Sequence, residues 1–265
     1  RSRVRGKSVL LKPNLVEPDR SSPHINTHPV VVRAVAEAFR SWDAAEVVVG
    51  EGAGHVRDTQ LVLQESGMAV MLKEAKIPFV DLNHDDVAPV SNQLGMTSLA
   101  RLFLPKSLLK ADLVVSLPKM KTHHWAGFTL SMKNLFGVMP GVCYGWPKNI
   151  LHYEGIYESI LDITATVRPH LAIVDAIIGM EGDGPIMGSP KNTGALVLGQ
   201  NLPAVDATSV RLGGHDPFRI PYLNYASGVL GPISESNIDQ RGESIVSLST
   251  RFELLDHPAT KPFRS

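Results

Sequence analysis

A chain of 265 residues is long enough to bury a large hydrophobic core, as one large α/β domain or as two small domains. It carries 26 basic and 26 acidic residues, and this balance disfavours a protein that holds nucleic acid mainly through its phosphates. The single cysteine, Cys143, excludes an intrachain disulfide and any iron–sulfur cluster or cysteine-rich zinc site formed from this chain alone.

The hydropathy pattern predicts no membrane span, because no apolar run approaches the roughly 18 residues that a spanning helix needs. The first five residues are basic, but they lack the apolar run that completes a signal peptide. We therefore favour a cytoplasmic location, with export as the alternative if a targeting signal precedes Arg1.

The first part of the chain alternates between short apolar runs and helical patterns. Val9-Leu10-Leu11 predicts a buried strand, and Thr27-His28-Pro29 begins a helix with proline near its first position. A strand at 46–50 completes a βαβ unit, which implies a parallel pair. The next elements are expected to be a helix over 58–76 interrupted at Gly67, a strand at 79–82 and a short antiparallel excursion within 84–107.

The second part continues the same alternation. The expected elements are a strand at 113–117, a helix over 153–167, a strand at 171–175, a glycine-rich loop at 179–188, a strand at 195–199, a helix over 204–212 and one strand near 244–248 in an irregular tail. These elements predict an α/β fold with a mainly parallel, mixed sheet, helices on both faces and Rossmann-like units. We expect one domain, with sub-lobes at about 1–110 and 111–265 as an open division.

The densest group of polar side chains follows the apolar run 113–117. Ligands of open α/β sheets bind outside the carboxyl ends of strands, and Lys12-Pro13-Asn14 repeats the same chemistry at the tip of the first strand. The residues that carry this pattern are Lys119, Lys121, His123, Lys133 and Asn134, with Lys12 and Asn14. Because an unpaired lysine is costly to bury, these lysines are expected to face an anionic ligand, water, or the carboxylates of Asp81, Asp175 or Asp206.

These residues predict an enzyme that acts on a small carboxylate or phosphate metabolite. We assign catalysis to His123, Lys121 and Lys133, and ligand binding to Lys12, Asn14, Lys119 and Asn134. His123 is expected to keep an ordinary pKa and to transfer protons near neutral pH. His28 and His152, each at the start of a predicted helix, are further candidates.

A divalent metal is an open alternative, with Asp175 and Glu181 as its ligands. The acidic loop 179–188 that holds Glu181 lacks the Gly-Lys-Ser/Thr ending of a phosphate-binding P-loop, and a plain turn is its other interpretation. The glycines of 50–54 do not match a dinucleotide fingerprint in register, and Glu51 would crowd a pyrophosphate.

Five stretches together resemble the prokaryotic DUF362 family, a domain of unknown function. They are 9–16, 27–34, 117–123, 132–137 and 173–185, in the family's order and over nearly the whole chain. The resemblance implies no settled reaction. Many members carry an appended ferredoxin-like cysteine cluster, and some are exported through a twin-arginine signal. With Cys143 alone, this chain departs from the iron–sulfur pattern.

Two other functions stay open from the sequence. The same cationic pocket could hold a cofactor for another protein in a non-catalytic or redox-partner-binding module. Alternatively, the irregular surfaces at 144–147 and 213–265 could be interfaces of a structural assembly protein, which leaves an oligomer open.

Overall fold

The computed structural model describes residues 2–54, 58–256 and 258–263, so Arg1 of the basic start lies outside the described residues. In that part of the chain eight strands form one mixed sheet, and β4 and β5 form a separate antiparallel pair. The strands are β1 Ser8–Pro13, β2 Glu46–Glu51, β3 Phe79–Asp81, β4 Val87–Ser91, β5 Arg101–Pro105, β6 Leu113–Leu117, β7 Lys119–His123, β8 Gly127–Thr129, β9 Leu171–Glu181 and β10 Ser189–Gly199.

Helices connect most of these strands. The α-helices are α1 Pro29–Ser41, α2 Thr59–Glu65, α3 Met68–Glu74, α4 Lys106–Lys110, α5 Gly141–Tyr144, α6 Asn149–Tyr153, α7 Ile156–Val167, α8 Leu202–Leu212, α9 Pro221–Ala226 and α10 Ile245–Leu248. Short 3-10 helices cover Lys133–Val138, Pro217–Arg219, Glu235–Asn237 and Pro258–Phe263. Among the described residues, none of these helices is long and apolar enough to cross a membrane.

The sheet runs in the order β3-β2-β1-β6-β9-β7-β8, and β10 pairs with β9. The pairs along the path from β3 to β7 are parallel, whereas β7–β8 and β9–β10 are antiparallel. β9 pairs with β6 near its start and with β7 further along, so β6 and β7 follow one another along the same side of β9. The mainly parallel, mixed α/β fold expected from the sequence is confirmed.

Alternating side chains of β1 pack into two cores on opposite faces of the sheet, because successive residues of a strand point to opposite faces. Val9 and Leu11 belong to one core, which includes Phe39 of α1, and Leu10 belongs to the other, which includes Leu135. His28 caps α1 by accepting the backbone N–H of Val30, and Pro29 occupies the first turn as expected. Helices therefore cover both faces.

Several local predictions differ from the structure. The lysine motif 119–123, expected as a polar segment after a strand, is itself strand β7. The glycine-rich segment is shorter than predicted, because β9 extends to Glu181 in its pairing with β10. The strand near 244–248 is wrong, since Ser244 accepts the N–H of Ser247 and caps helix α10. The helix expected over 153–167 divides at Gly155, whose φ of 108° falls outside the helical region. The division into sub-lobes stays a prediction.

Candidate functional site

The ends of the central strands surround a cavity of about 130 Å³. Six of the nine site residues expected from the sequence line this cavity: Lys12, Asn14, Lys121, His123, Lys133 and Asn134. The topology explains their convergence, because β1 and β2 are parallel neighbours that end at the same edge, and β7 continues beyond β6 at that edge. Thr129, Lys148, His152 and Glu51 complete the polar lining.

Lys12 is neutralised inside the protein. Its Nζ lies 2.8 Å from Glu51 Oε2 and donates to Pro13 O at 2.6 Å and to Asn134 Oδ1 at 3.2 Å. Glu51 also accepts the backbone N–H groups of Leu15 and Gly52, both at 2.9 Å. Burial lowers the pKa of Lys12 although Glu51 opposes the shift. This fully bonded ion pair forms one wall of the cavity.

Asn134 fixes the 3-10 helix that carries Lys133 against the sheet. Its Nδ2 donates to Lys12 O at 3.0 Å and to Ser116 Oγ at 3.1 Å. Behind it, Asp206 of α8 accepts the N–H of Ser131 at 2.8 Å and of Met132 at 3.0 Å, together with the Ser131 hydroxyl. Burial raises the pKa of Asp206 to about 7. The connection from α8 to the cavity wall runs through buried hydrogen bonds.

Lys121 and Lys133 have no carboxylate in ion-pair contact among the described residues. Lys121 is fully buried, and its Nζ donates to Ile25 O at 3.0 Å. Lys133 is half-buried, with its Nζ 3.7 Å from the centre of the Phe136 ring. Burial lowers the pKa of each lysine to about 7, and the charges of neighbouring lysines lower it further. Both side chains can therefore exchange protons near neutral pH.

Lys148 is a cavity residue that the sequence interpretation missed. It is 2% exposed, adopts a φ of 70° that is uncommon outside glycine, and its Nζ donates to Asn83 Oδ1. Burial lowers its pKa to about 8. No spacing in the sequence marks this lysine, which follows the aromatic stretch 144–147 rather than a strand. Its position in the cavity depends on the path of that irregular segment.

The two cavity histidines present opposite hydrogen-bonding groups. Nδ1 of His123 accepts the backbone N–H groups of Trp125 at 3.1 Å and Ala126 at 3.2 Å, so its proton resides on Nε2. Nδ1 of His152 lies 3.0 Å from Lys148 O, which only accepts, so this Nδ1 carries the proton and Nε2 keeps a lone pair. His123 is thus a donor at Nε2, and His152 is an acceptor at Nε2.

The expectation of an ordinary pKa for His123 is wrong. Burial, assisted by the charge of Lys133, lowers the pKa of His123 well below its usual value. Burial also lowers the pKa of His152, which is half-buried. Both rings are therefore neutral at pH 7, and their tautomers, rather than their charge, determine what they offer a ligand.

Two polar atoms at the cavity are buried without a hydrogen-bond partner in the described structure. They are Thr129 Oγ1 and Asn14 Oδ1. Buried polar groups in proteins are almost always bonded to the protein or to an ordered water or ligand. Both residues line the cavity.

The remaining three predicted residues lie outside the cavity lining and are held by protein groups. Lys119 Nζ lies 2.6 Å from Asp175 Oδ2, and both side chains are almost fully buried. Asp175 also accepts the N–H of His28 at 2.9 Å. Glu181 pairs with Lys191 at 2.9 Å. The described residues contain no group of three histidine, cysteine, aspartate or glutamate side chains placed to hold a metal ion.

Taken together, the fold and the site define an α/β protein with a lysine-rich cavity at the carboxyl ends of its central strands. The chain belongs to the DUF362 family, described as a domain of unknown function, whose model matches residues 9–211. This family membership confirms the resemblance found in the sequence.

One relative and one solved structure extend this comparison. The chain is 31% identical over 225 residues to the thylakoid-associated protein sll1697 of Synechocystis sp., covering 82% of this chain and 66% of that protein. It resembles the lactate racemase apoprotein of Thermoanaerobacterium thermosaccharolyticum with a TM-score of 0.52 and 14% identity, over 78% of this chain and 50% of that one. The chain thus spans slightly less than two thirds of its relative, and the second likeness shows a shared fold alone.

Proposed function

We propose that this chain forms the site of an enzyme that binds a small carboxylate or phosphate anion and moves a proton on it. The observation that carries the proposal is the group of three lysines, Lys121, Lys133 and Lys148, around a cavity in which no carboxylate pairs with them among the described residues. Protein lysines are rarely buried without such a partner unless a ligand supplies the negative charge.

The lysines and histidines take different roles in this proposal. A bound anion raises the pKa of Lys121 and Lys133 again, so that both become charged and hold the ligand. His152 has its lone pair on Nε2 and is the general base, whereas the N–H at Nε2 of His123 donates to a developing oxyanion. Thr129 and Asn14 supply further hydrogen bonds to the ligand.

The protein groups around these residues supply the orientation. Asn134 and the Lys12–Glu51 ion pair fix the wall beside Lys133, and the carbonyl of Ile25 fixes Lys121. These groups are already bonded before a ligand arrives. Little reorganisation is therefore needed on binding, which favours stabilisation of charge in the transition state.

Isothermal titration of the protein with acetate, malonate and inorganic phosphate at constant ionic strength tests the binding step. We expect at least one of these anions to bind, and Lys133→Met to lose that binding. Lys106→Met is the matched control, because Lys106 forms an exposed ion pair with Asp86 outside the cavity. Unchanged binding by the Lys133→Met variant would contradict the proposal.

Proton transfer is tested with the anions that bind. Wild-type protein in D2O is expected to exchange an acidic carbon-bound hydrogen of a bound carboxylate, measured by proton NMR. The His152→Gln variant keeps a similar size but lacks the base, so it should bind the anion and exchange at least tenfold more slowly, in line with the usual contribution of a general base. Equal exchange rates would exclude His152 as the base.

A further inference from the structure

We infer that the cavity selects a small dianion, meaning a phosphate group or a short dicarboxylate, over an anion with a single negative charge. The inference rests on the proposed function and specifies the ligand class of the same site. It follows from the number of cationic groups at the cavity, their protein partners and the volume available.

The charge balance of the cavity is uneven in the described structure. Four lysines line it, and Glu51 is the carboxylate that pairs with one of them, Lys12. Lys121, Lys133 and Lys148 instead meet a carbonyl, an aromatic ring and an amide oxygen. A ligand with one charge leaves two of these three amines without a counter-charge, whereas a dianion leaves one.

Repulsion between the lysine side chains at the cavity strengthens the preference for a dianion. The charges facing Lys121 are those of Lys119 and Lys133, which oppose its protonation, and those of Glu51 and Glu17, which favour it. Lys133 faces Lys12, and Lys148 faces Glu51, Asp81 and Lys12. Bringing two of these amines to full charge in a buried place therefore requires more than one negative charge between them.

The volume of the cavity indicates the size of the ligand group that it holds. A cavity of about 130 Å³ is slightly smaller than the roughly 150 Å³ cavity that admits one benzene molecule. Phosphate and malonate match this space. A dianion of five to seven non-hydrogen atoms satisfies both the charge and the volume.

Titration calorimetry with matched probes tests the inference. Malonate is compared with its monoamide, malonamate, which has the same shape and one negative charge fewer, and inorganic phosphate is measured in parallel at pH 8. We expect malonate or phosphate to bind at least tenfold more tightly than malonamate. Binding should also take up protons, which appears as a dependence of the heat on the ionisation enthalpy of the buffer.

The variants separate a charge effect from a change in structure. Lys121→Met should reduce the preference for malonate over malonamate at least fivefold, and Lys106→Met should leave it unchanged. If Lys121→Met does not fold, Thr129→Val is the second variant. It removes an orphaned hydroxyl but no charge, and it should weaken both probes by a similar factor.

Each outcome decides between the possibilities. Tight binding of phosphate alone supports a phosphate ligand, and tight binding of malonate alone supports a dicarboxylate. Equal binding of malonate and malonamate overturns selection for a dianion but leaves the anion site of the proposed function in place. If none of the three probes binds, the proposed function and this inference are both overturned.

Discussion

Replacing Lys121 by methionine is expected to stabilise the protein while weakening its ligand binding. Lys121 is fully buried on β7, and within the described ranges its amine has one hydrogen bond, to Ile25 O. Methionine has a similar length and no charge, so it fills the same space without the cost of desolvating an ammonium group. A residue that weakens the fold and faces a cavity is typical of a functional site.

The magnitude follows from the pKa. Burial lowers the pKa of Lys121 from 10.5 to about 7. A shift of that size corresponds to about 4–5 kcal/mol of lost folding free energy at pH 7, because one pKa unit is worth ~1.4 kcal/mol. Loss of the hydrogen bond to Ile25 destabilises the variant by about 1 kcal/mol, which offsets part of this gain. We therefore expect a net gain of about 3–4 kcal/mol, or an increase in Tm of roughly 5–15 °C.

The sign of the pH dependence gives a second check. Between pH 7 and 10.5 the unfolded chain binds a proton at Lys121 that the folded protein does not, so the folded wild type becomes more stable as pH rises. The advantage of Lys121→Met should accordingly be largest at pH 7 and below, and fall to about 1 kcal/mol at pH 9, once the lost hydrogen bond is subtracted. It should almost vanish near pH 10.5.

Urea unfolding of both proteins at pH 7 and pH 9, without added anions, measures these differences. Lys106→Met serves as the control and should change the free energy of unfolding by less than about 1 kcal/mol, since its ion pair is exposed. A Lys121→Met variant that is less stable than the wild type at pH 7 would refute the reasoning. It would show that Lys121 has a counter-charge in the free protein.

Three further substitutions test other parts of the structure. Lys119→Met should destabilise the protein by about 3–5 kcal/mol in urea unfolding, because it leaves Asp175 buried without its cation. The control Lys191→Met removes a more exposed ion pair and should cost about 1 kcal/mol or less. Equal effects of the two substitutions would contradict this prediction. Gly137→Ala should lower the free energy of unfolding by about 1–3 kcal/mol and weaken anion binding, since its Cβ would overlap the buried ion pair between Lys12 and Glu51. Unchanged anion binding in calorimetry would show that the cavity wall accommodates the added methyl group. Asp206→Ala should cost about 2–4 kcal/mol by leaving buried backbone N–H groups unbonded, and a neutral effect on the urea midpoint would exclude its supporting role.

The order of strands and helices was largely predictable from the sequence. Apolar runs such as Val9-Leu10-Leu11 and the proline at the start of α1 identify strands and a helix start by local chemistry alone. The lysine and asparagine residues at the strand tips were likewise visible, because charged side chains directly after a buried strand must have a specific environment. Five of these residues do line one cavity, together with His123.

The partner of each lysine was decided by the tertiary structure. Lys119 and Lys121 lie two residues apart on β7 and are chemically identical, yet Lys119 is paired with Asp175 and Lys121 is not paired with any carboxylate among the described residues. The register of β7 against β9 places Asp175 opposite Lys119 and Met180 opposite Lys121. Sequence spacing carries no information about that register.

The sequence by itself determined that the chain is an α/β protein with cationic residues at the ends of its strands, because hydrophobic periodicity and the cost of burying charge act locally. The tertiary structure decided which lysines remain without a carboxylate, placed Lys148 among them, and set the opposite tautomers of His123 and His152. These features depend on contacts between residues far apart in the chain, where strand register and loop paths determine distance.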